Sequence, residues 1–415
     1  MGFVTCLRGI GSGVEYPPDT VMNLCPQDGR PVEMVFDLER LQAQRPNMTW
    51  YHPERKDMWR FGGLLPLDID DENDRPHILS LGEGYTPHLD YDDFPLAKRV
   101  GFRLRIKDEG MPHQGYGSNP TLAFKDRGMA MVVSMARKLG IDKLAIPTQG
   151  NAGDSLVHYC VAAGLQIAVA MPDATPLPIL GKVAAAEKIN DGVHLELVQG
   201  TIVEAGERIK SYLSRGFFNA ATFQEPGWRI EGKKTMGLEL AEPRLDKPHW
   251  GLPDVIVYPT GGGMGLVAMW KAFGELEALG LIGPKRPRII SVQSEGTQPL
   301  VKAMADGASD TTKEAAGVTL APGINVPCGV GHFKVLSILR ESKGGAVAVS
   351  ERSIANQLRD TWQQKGWWFT PEGIACIAGL ESLVEQGFIN SGDEVAVINT
   401  GSFEKYLPNI RRLLC

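Results

Sequence analysis

The sequence predicts an α/β protein with two lobes, each built on an open, twisted parallel sheet. Short apolar segments alternate with helical segments from about residue 77 onward. Helices of about 10–15 residues between strands are typical of parallel sheets covered on both faces. One small sheet could not hold all the predicted strands, so we expect two lobes. Ligands bind such sheets at the carboxyl ends of the strands, against helix N-termini.

The predicted elements alternate along the chain. Strands are predicted at Val100–Lys107, Lys143–Pro147, Gln166–Met171, Val193–Val198, Val255–Tyr258, Arg288–Gln293 and Glu394–Asn399. Helices are predicted at Asp126–Leu139, Ser155–Ala163, 176–188, Thr201–Ser214 and Leu266–Leu279, from their apolar spacing. Residues 1–75 lack sustained periodicity and predict an irregular extension. We therefore expect an N-terminal extension (1–76), a large domain (77–120 and 215–415) and a small α/β domain (121–214).

Composition and charge disfavour several classes of protein, including nucleic-acid-binding and membrane proteins. The 415 residues suffice for two or three domains, and the net charge of -6 provides no basic field for nucleic acid or an anionic membrane. No apolar run reaches the roughly eighteen residues of a membrane span, and the first residues lack the pattern of a signal peptide. The six cysteines are scattered rather than arranged as a disulfide framework: Cys6, Cys25, Cys160, Cys328, Cys376 and Cys415. These features predict a cytoplasmic enzyme with free thiols.

A glycine-rich segment follows the strand at Val255–Tyr258 and opens the next helix. It consists of Thr260, Gly261, Gly262, Gly263, Met264 and Gly265. Glycines let backbone N–H groups converge on a phosphate, and the helix N-terminus adds partial positive charge there. The segment lacks the Lys-Ser/Thr ending of a Walker loop and the position of a dinucleotide fingerprint. It predicts a phosphate cradle; the alternative is a tight glycine turn.

A lysine begins a predicted helix in the segment 119–128, Asn-Pro-Thr-Leu-Ala-Phe-Lys-Asp-Arg-Gly. Imine chemistry needs a neutral amine, and we expect Arg127 and the apolar Phe124 to lower the pKa of Lys125. The local alternative is an ordinary surface lysine in the first turn of a helix. A second polar turn, Thr148-Gln149-Gly150-Asn151, also follows a strand and precedes a helix. It suits a carboxylate or a ring oxygen, or else it only caps the helix.

Together these segments resemble the fold-type II enzymes that use pyridoxal 5'-phosphate (PLP), and among them the threonine synthase family. Residues 119–128 resemble the family's "NPTGSFKDRG", 148–155 its "SSGNTAAS", and Thr400-Gly401 its C-terminal "TG". Residues 229–235 resemble "RIEGxKT". The upstream part matches threonine synthase more specifically than the other enzymes of this fold. It resembles "WRY…LLP…SLGEGxTPL" at Trp59-Arg60, residues 64–66 and residues 80–87. The resemblance covers nearly the whole chain.

The resemblance implies two parallel-sheet lobes with PLP between them and a role for each motif. Lys125 would hold PLP as an aldimine and act as the catalytic base, and Asn151 would bond the ring 3-oxygen. Thr400 would bond the pyridine nitrogen, and the cradle would bind the phosphate. The implied cofactor-binding residues are Phe124, Lys125, Asn151, Thr260, Gly261, Gly262, Gly263, Met264, Gly265 and Thr400. The implied substrate-binding residues are Thr86, Thr121, Thr148, Gln149, Gly150 and Asn151.

The implied reaction is that of a carbon–oxygen lyase, which converts O-phospho-L-homoserine and water to L-threonine and phosphate. The resemblance also implies a small amino-acid substrate and a homodimer. Leu122, Ala123, Gln149 and Asp154 depart from the family motifs where the substrate is expected. They motivate a second hypothesis, a PLP-dependent α,β-eliminase or β-replacing enzyme of the diaminopropionate ammonia-lyase or serine/threonine dehydratase type. A third is a non-catalytic ligand sensor, although the intact lysine disfavours it.

The N-terminal segment is similar to the zinc ribbon of some threonine synthases, in which two Cys-x2-Cys pairs bind the metal. Gly9 and Asp28 stand at two of those four positions, so only Cys6 and Cys25 remain. A structural zinc site normally has four protein ligands, and we expect no metal. His158 is expected to be a packed core residue, and His113 and His332 fall in loops that could line a cleft.

Overall fold

The computed structural model describes residues 1–44 and 47–414, and it divides into two compact units. The first unit contains Met1–Tyr85 and Asn119–Thr235. The second contains Thr86–Ser118 and the chain from Met236 onward. The segment 1–76, predicted as an extension, lies within the first unit, as do residues 215–235. Cys415 lies outside the described residues.

The structure contains the following elements. The strands are β1 (Val4–Gly9), β2 (Glu15–Tyr16), β3 (Val32–Phe36), β4 (His88–Asp90), β5 (Arg103–Asp108), β6 (Lys143–Pro147), β7 (Gln166–Pro172), β8 (Val193–Val198), β9 (Phe218–Asn219), β10 (Val255–Pro259), β11 (Arg288–Ser294), β12 (Gly345–Val349) and β13 (Glu394–Asn399). The helices are α1 (Leu38–Ala43), α2 (Pro95–Val100), α3 (Lys125–Lys138), α4 (Asn151–Ala163), α5 (Leu177–Ile189), α6 (Ile202–Leu213), α7 (Trp228–Ala241), α8 (Met264–Ala278), α9 (Pro299–Ala305), α10 (His332–Glu341), α11 (Glu351–Lys365), α12 (Pro371–Ala378), α13 (Leu380–Glu385) and α14 (Leu407–Leu414).

The main sheet of the first unit has four parallel strands in the order β8-β7-β6-β9. The central strand β7 is fully buried from Ile167 to Met171, as expected for a parallel strand covered on both faces. β6 and β8 have the bounds that the sequence predicted. The helices α3 and α4 supply the candidate site residues of this unit.

The N-terminal segment is more regular than predicted. β1 pairs with β2 and with β3 in an antiparallel sheet of order β2-β1-β3. Cys25 is buried beside this sheet, and its Sγ lies 3.3 Å from the hydroxyls of Ser12 and Tyr16. Burial raises the pKa of this thiol, but the hydrogen bonds outweigh burial and the net pKa is lowered. A Cβ at Gly9 would lie 3.1 Å from this sulfur, so Gly9 also packs closely on it.

The second unit is built on a six-stranded sheet of order β12-β11-β10-β13-β5-β4. Only β4, at the edge, runs antiparallel to its neighbour. β12 was not predicted, because its sequence Gly-Ala-Val-Ala-Val carries little bulk. The three central strands β10, β13 and β5 are adjacent, so their carboxyl ends lie side by side. No helix within 1–44 or 47–414 is both long and apolar enough to span a membrane.

Two helices begin earlier than predicted, at the polar turns themselves. α4 begins at Asn151 rather than at Ser155, and α8 begins at Met264 rather than at Leu266. Asn151 of the first turn, and Met264 and Gly265 of the second, therefore belong to the helices. Their backbone N–H groups point out of the helix end, where an anion is stabilised.

Helices α3 and α7 of the first unit approach each other through glycine. A Cβ at Gly232 would overlap the carbonyl of Arg127 and lie 3.0 Å from the Cα of Gly128. We expect Gly232→Ala to lower the free energy of unfolding by about 3 kcal/mol, because backbone cannot move aside as a flexible side chain can. The midpoint of urea-induced unfolding measures this effect.

The matched control is Gly206→Ala in α6, where an added Cβ meets no atom within 4 Å. That change should raise stability by about 0.5–1 kcal/mol through the better helix propensity of alanine. Equal effects of the two substitutions would show that the helices do not depend on this approach.

Candidate active site

The glycine-rich loop after β10 has no room for side chains at Gly261 and Gly263. A Cβ at Gly261 would lie 2.5 Å from the carbonyl oxygen of Gly323. At Gly263 a Cβ would overlap Val335, and the residue has φ +77°, a left-handed conformation that favours glycine. α8 starts immediately afterwards at Met264. The loop thus leads directly into a helix N-terminus, where backbone N–H groups can stabilise an anion.

A buried histidine supports this loop from behind. His332 is fully buried, and its Nδ1 accepts hydrogen bonds from the N–H of Gly329 (3.1 Å) and the hydroxyl of Thr311 (2.9 Å). The proton is therefore on Nε2, which donates to the carbonyl of Gly261 at 2.8 Å. Burial lowers the pKa of His332 below its ordinary value. Sequence reasoning placed this residue only in a loop that could line a cleft.

Thr400 follows β13 and is held through its neighbour Asn399. The Asn399 amide donates to Asp108 at 2.7 Å and to the carbonyl of Gly401 at 2.9 Å. Its oxygen accepts from the N–H and the hydroxyl of Thr370. These bonds fix the backbone on both sides of Thr400. The loop after β10 and Thr400 thus lie at the ends of adjacent strands of one sheet.

The turn that carries the lysine is organised by a buried carboxylate. Asp126 is fully buried and accepts from the N–H (2.6 Å) and the hydroxyl (2.7 Å) of Thr121. It also accepts from the hydroxyl of Ser155 in α4 at 2.5 Å. Lys125 is the first residue of α3, and its Nζ lies 3.7 Å from the centroid of the Phe124 ring. Asp126 therefore joins the lysine turn to the helix that begins at Asn151.

Leu122 adopts φ +55°, although it is not glycine. The resembling motif has glycine at this position, so the left-handed turn is retained while the residue has changed. A left-handed conformation costs an ordinary residue about 1–2 kcal/mol. The surrounding hydrogen bonds, including Leu122 N–H to the carbonyl of Asn119 at 2.8 Å, hold the turn in place.

A second lysine, Lys233, is a cationic neighbour of Lys125. The guanidinium of Arg127 donates to the hydroxyl of Thr235 at 3.0 Å. Lys233 is buried, and its Nζ lies 5.0 Å from the same Phe124 ring. Burial lowers the pKa of Lys233 well below its ordinary value, and the charges of Arg229 and Lys125 lower it further. Sequence reasoning did not single out Lys233.

The Thr148 turn is folded by its own hydroxyl. The Oγ1 of Thr148 accepts from the N–H groups of Gly150 and Gly153, each at 3.2 Å. These bonds favour a capping role for Thr148, while Gln149 and Asn151 remain half-buried at the start of α4. Asp154 is buried, and its carboxylate lies 3.9 Å from the ammonium of Lys182.

His158 in the same helix is exposed, so the prediction of a packed core histidine was wrong. It occupies the outer face of α4, whose inner face carries Leu156, Tyr159 and Cys160.

Thr86 lies in a buried charged network of the second unit. Its hydroxyl donates to Glu109 at 2.6 Å and accepts from the ammonium of Lys107 at 2.5 Å. Lys107 also donates to Glu239 at 2.7 Å. All of these groups are buried. This engagement favours a structural role for Thr86 over the predicted contact with a substrate.

Glu83 organises the segment before Thr86, within the first unit. Its carboxylate accepts from the indole of Trp59 (2.9 Å), the N–H of Leu81 (2.8 Å) and the hydroxyl of Tyr159 (2.6 Å). Burial raises the pKa of Glu83 to about 7. The N–H of Gly84 donates to the Asn119 side chain at 3.3 Å, so this segment also supports the lysine turn.

The buried His332 should make stability depend on pH. Folding lowers the pKa of His332, so as pH falls the unfolded chain is protonated at a higher pH than the folded chain. The free energy of unfolding therefore falls as pH falls below about 6.5. We expect His332→Gln to remove this contribution, so that from pH 7 to 5 its free energy of unfolding falls less steeply than that of wild type. The full effect of one proton is about 1.4 kcal/mol per pH unit.

Urea unfolding at a series of pH values measures both slopes. His158→Gln is the control, since His158 is exposed and should leave the slope unchanged. Identical slopes for wild type and His332→Gln would contradict the prediction.

Comparisons with known proteins show the family of this chain. A family profile described as "Pyridoxal-phosphate dependent enzyme" matches residues 79–401. A threonine synthase of Methanosarcina acetivorans is 31% identical over 400 residues, covering 96% of this chain and 92% of that protein. A threonine synthase of Methanocaldococcus jannaschii is 29% identical, covering 95% and 91%.

Solved structures with lower identity share the fold. Diaminopropionate ammonia lyase from Escherichia coli has a TM-score of 0.64 at 16% identity, covering 82% of this chain and 90% of that one. The processed form of threonine deaminase isoform 2 from Solanum lycopersicum has a TM-score of 0.62 at 21% identity, covering 80% and 88%. These chains are fold-type II PLP enzymes. The protein therefore belongs to the threonine synthase family of fold-type II enzymes and is a PLP-dependent lyase.

Proposed function

We propose that the protein converts O-phospho-L-homoserine and water to L-threonine and phosphate, with PLP held covalently on Lys125. The observation that carries this proposal is the position of Lys125, the first residue of α3, in a turn fixed by Asp126. Threonine synthase relatives align over nearly the full chain and support the substrate. The same relationship is our basis for proposing a cytoplasmic homodimer.

The residues present fit PLP. The loop at Gly261–Gly263 has no room for a Cβ at Gly261 or Gly263, and the following helix N-terminus suits a phosphate. Thr400 offers a neutral hydroxyl for a ring nitrogen, and Asn151 offers an amide for a ring oxygen. We propose that these residues bind the phosphate, the nitrogen and the 3-oxygen, respectively.

Bound PLP would supply an electron sink for negative charge at the substrate's Cα. Lys125, once released from the cofactor, would move protons at Cα and Cβ. It can accept a proton only as a neutral amine, and the nearby Lys233 disfavours a second positive charge beside the Phe124 ring. The half-buried Gln149 and Asn151 would orient the substrate's carboxylate with the N–H groups at the start of α4.

A second candidate is α,β-elimination from a substrate without phosphate, such as a diamino acid. Ala123 replaces the serine of the resembling motif, and the buried Asp154 and Glu225 place acids near α4 and α7. Burial raises the pKa of Glu225 to about 7, while the charges of Arg229 and Lys233 oppose that shift. The carboxylate of Glu225 lies beside Arg229 and Lys233 and can balance their positive charge. A phosphate on the substrate is then less needed for that purpose.

The substrate assay separates the two candidates. We expect the purified protein loaded with PLP to release inorganic phosphate from O-phospho-L-homoserine and to form threonine. Phosphate is measured colorimetrically, and threonine by chromatography. Absence of phosphate release, together with ammonia and keto acid from 2,3-diaminopropionate, serine or threonine, would replace the first candidate with the second.

The covalent link to PLP has its own spectroscopic test. The wild-type protein should absorb at about 410–430 nm with PLP, as expected for a lysine-linked cofactor, and Lys125→Ala should lose this band. Borohydride reduction followed by peptide mass mapping should place the reduced cofactor on Lys125.

Lys188→Ala, at an exposed position of α5, is the control and should keep the band. A wild-type protein that remains colourless with added PLP would overturn the assignment of Lys125. Reduction that labels Lys233 instead would move the assignment to the second buried amine.

A further inference from the structure

An aspartate–histidine pair lies at the carboxyl end of β5, beside Thr400. Asp108, the last residue of β5, is buried, and its Oδ2 lies 3.1 Å from the Nε2 of His113. His113 follows in the next loop, and its side chain is 28% exposed. The proposed roles of Lys125, Asn151 and Thr400 do not use this pair.

The carboxylate is held so that only one oxygen faces the imidazole. Asp108 Oδ1 accepts from the N–H groups of Gly110 (2.9 Å) and Met111 (3.3 Å) and from the amide of Asn399 (2.7 Å). Oδ2 is thereby directed at the ring. Because a carboxylate accepts, Nε2 donates, and Nδ1 is the nitrogen available for chemistry. Nδ1 has no hydrogen-bond partner among residues 1–44 and 47–414.

The sheet places this pair next to the candidate cofactor groups of the same unit. β13 pairs with β10 on one side and with β5 on the other, and Asn399 is in register with Asp108. Neighbouring strands are about 4.8 Å apart, so the ends of β10 and β5 are separated by only about 10 Å. The loop that leads to His113 packs directly on the segment after Thr400, since a Cβ at Gly110 would overlap the carbonyl of Gly401.

We propose that His113 is a general acid of the reaction, and that Asp108 positions it. The proposal rests on the proposed lyase function and adds a group that protonates the leaving heteroatom. When the carbon–heteroatom bond breaks, its electron pair leaves with the heteroatom. The proton on Nδ1 of the imidazolium moves to that atom, and a neutral imidazole remains bonded to Asp108. The titratable group that faces the ring is Asp108; the neighbouring Glu109 is bonded to Thr86 instead.

The first test locates His113 relative to the cofactor and needs no turnover. Diethyl pyrocarbonate acylates neutral imidazole, and mass mapping reports the rate at each histidine. We expect PLP to slow acylation of His113 by at least fivefold, as an order-of-magnitude expectation for a group shielded by ligand. His249, exposed in the same unit, is the control and should react equally with and without PLP. Equal rates at His113 would overturn the proposal.

The second test separates acid catalysis from a structural role. His113→Gln retains a side-chain N–H for Asp108 but cannot donate a proton to a leaving group. It should lower kcat/KM about 100-fold or more for the substrate that the phosphate and ammonia assays identify, with PLP affinity unchanged within about twofold. The basic limb of the pH–rate profile should also change.

The decisive comparison uses an analogue of the same substrate in which chlorine replaces the leaving group. Chloride leaves without a proton, so this reaction needs no general acid. We expect its elimination by His113→Gln to stay within about threefold of wild type. Equal slowing of both substrates would assign His113 a structural role, and no slowing of either would remove it from the reaction. If only the proposed substrate is wrong, the wild-type protein will not release phosphate from O-phospho-L-homoserine.

Discussion

The carboxylate of Asp126 is the interaction on which the arrangement of the first unit's reactive residues depends. It is fully buried and receives three hydrogen bonds, two from Thr121 and one from Ser155. Hydrogen bonds to a charged group contribute about 1.5–3 kcal/mol each, enough to offset a strained backbone nearby. They hold Leu122 in a left-handed conformation and fix the direction in which α3 begins. The position of Lys125 follows from that direction.

In the second unit, the candidate residues are held at the carboxyl ends of neighbouring strands rather than in one turn. Three parallel strands end side by side, and the side chain of Asn399 connects the last of them to Asp108 and Thr370. The glycine loop after β10 is supported separately, by the neutral imidazole of His332. The groups proposed to bind a phosphate and a ring therefore lie on backbone that neighbouring side chains hold by hydrogen bonds, which would limit the reorganisation needed on binding.

Much of this arrangement could be predicted from the sequence, because local patterns determine it. β6, β8 and β13 have their predicted bounds, since each is a compact apolar run between turn residues. The starts of α4 and α8 were misplaced, because a polar turn and a first helical turn have the same composition. The roles of Lys233 and His332 could not be predicted. Their partners, Phe124 and Gly261, lie more than 70 residues away, and no periodicity encodes such contacts.

The proposed cofactor binding and substrate selection would depend on different kinds of group in this chain. The proposed cradle at Gly261–Gly263 would act through backbone shape, which tolerates change in the neighbouring side chains. The proposed substrate selection would depend on side chains, and there the chain departs from the resembling motifs at Leu122, Ala123, Gln149 and Asp154. Family membership therefore determines the cofactor more firmly than the substrate. The proposed general acid, His113, also lies outside those motifs. It would change which leaving groups depart quickly without altering how PLP is bound.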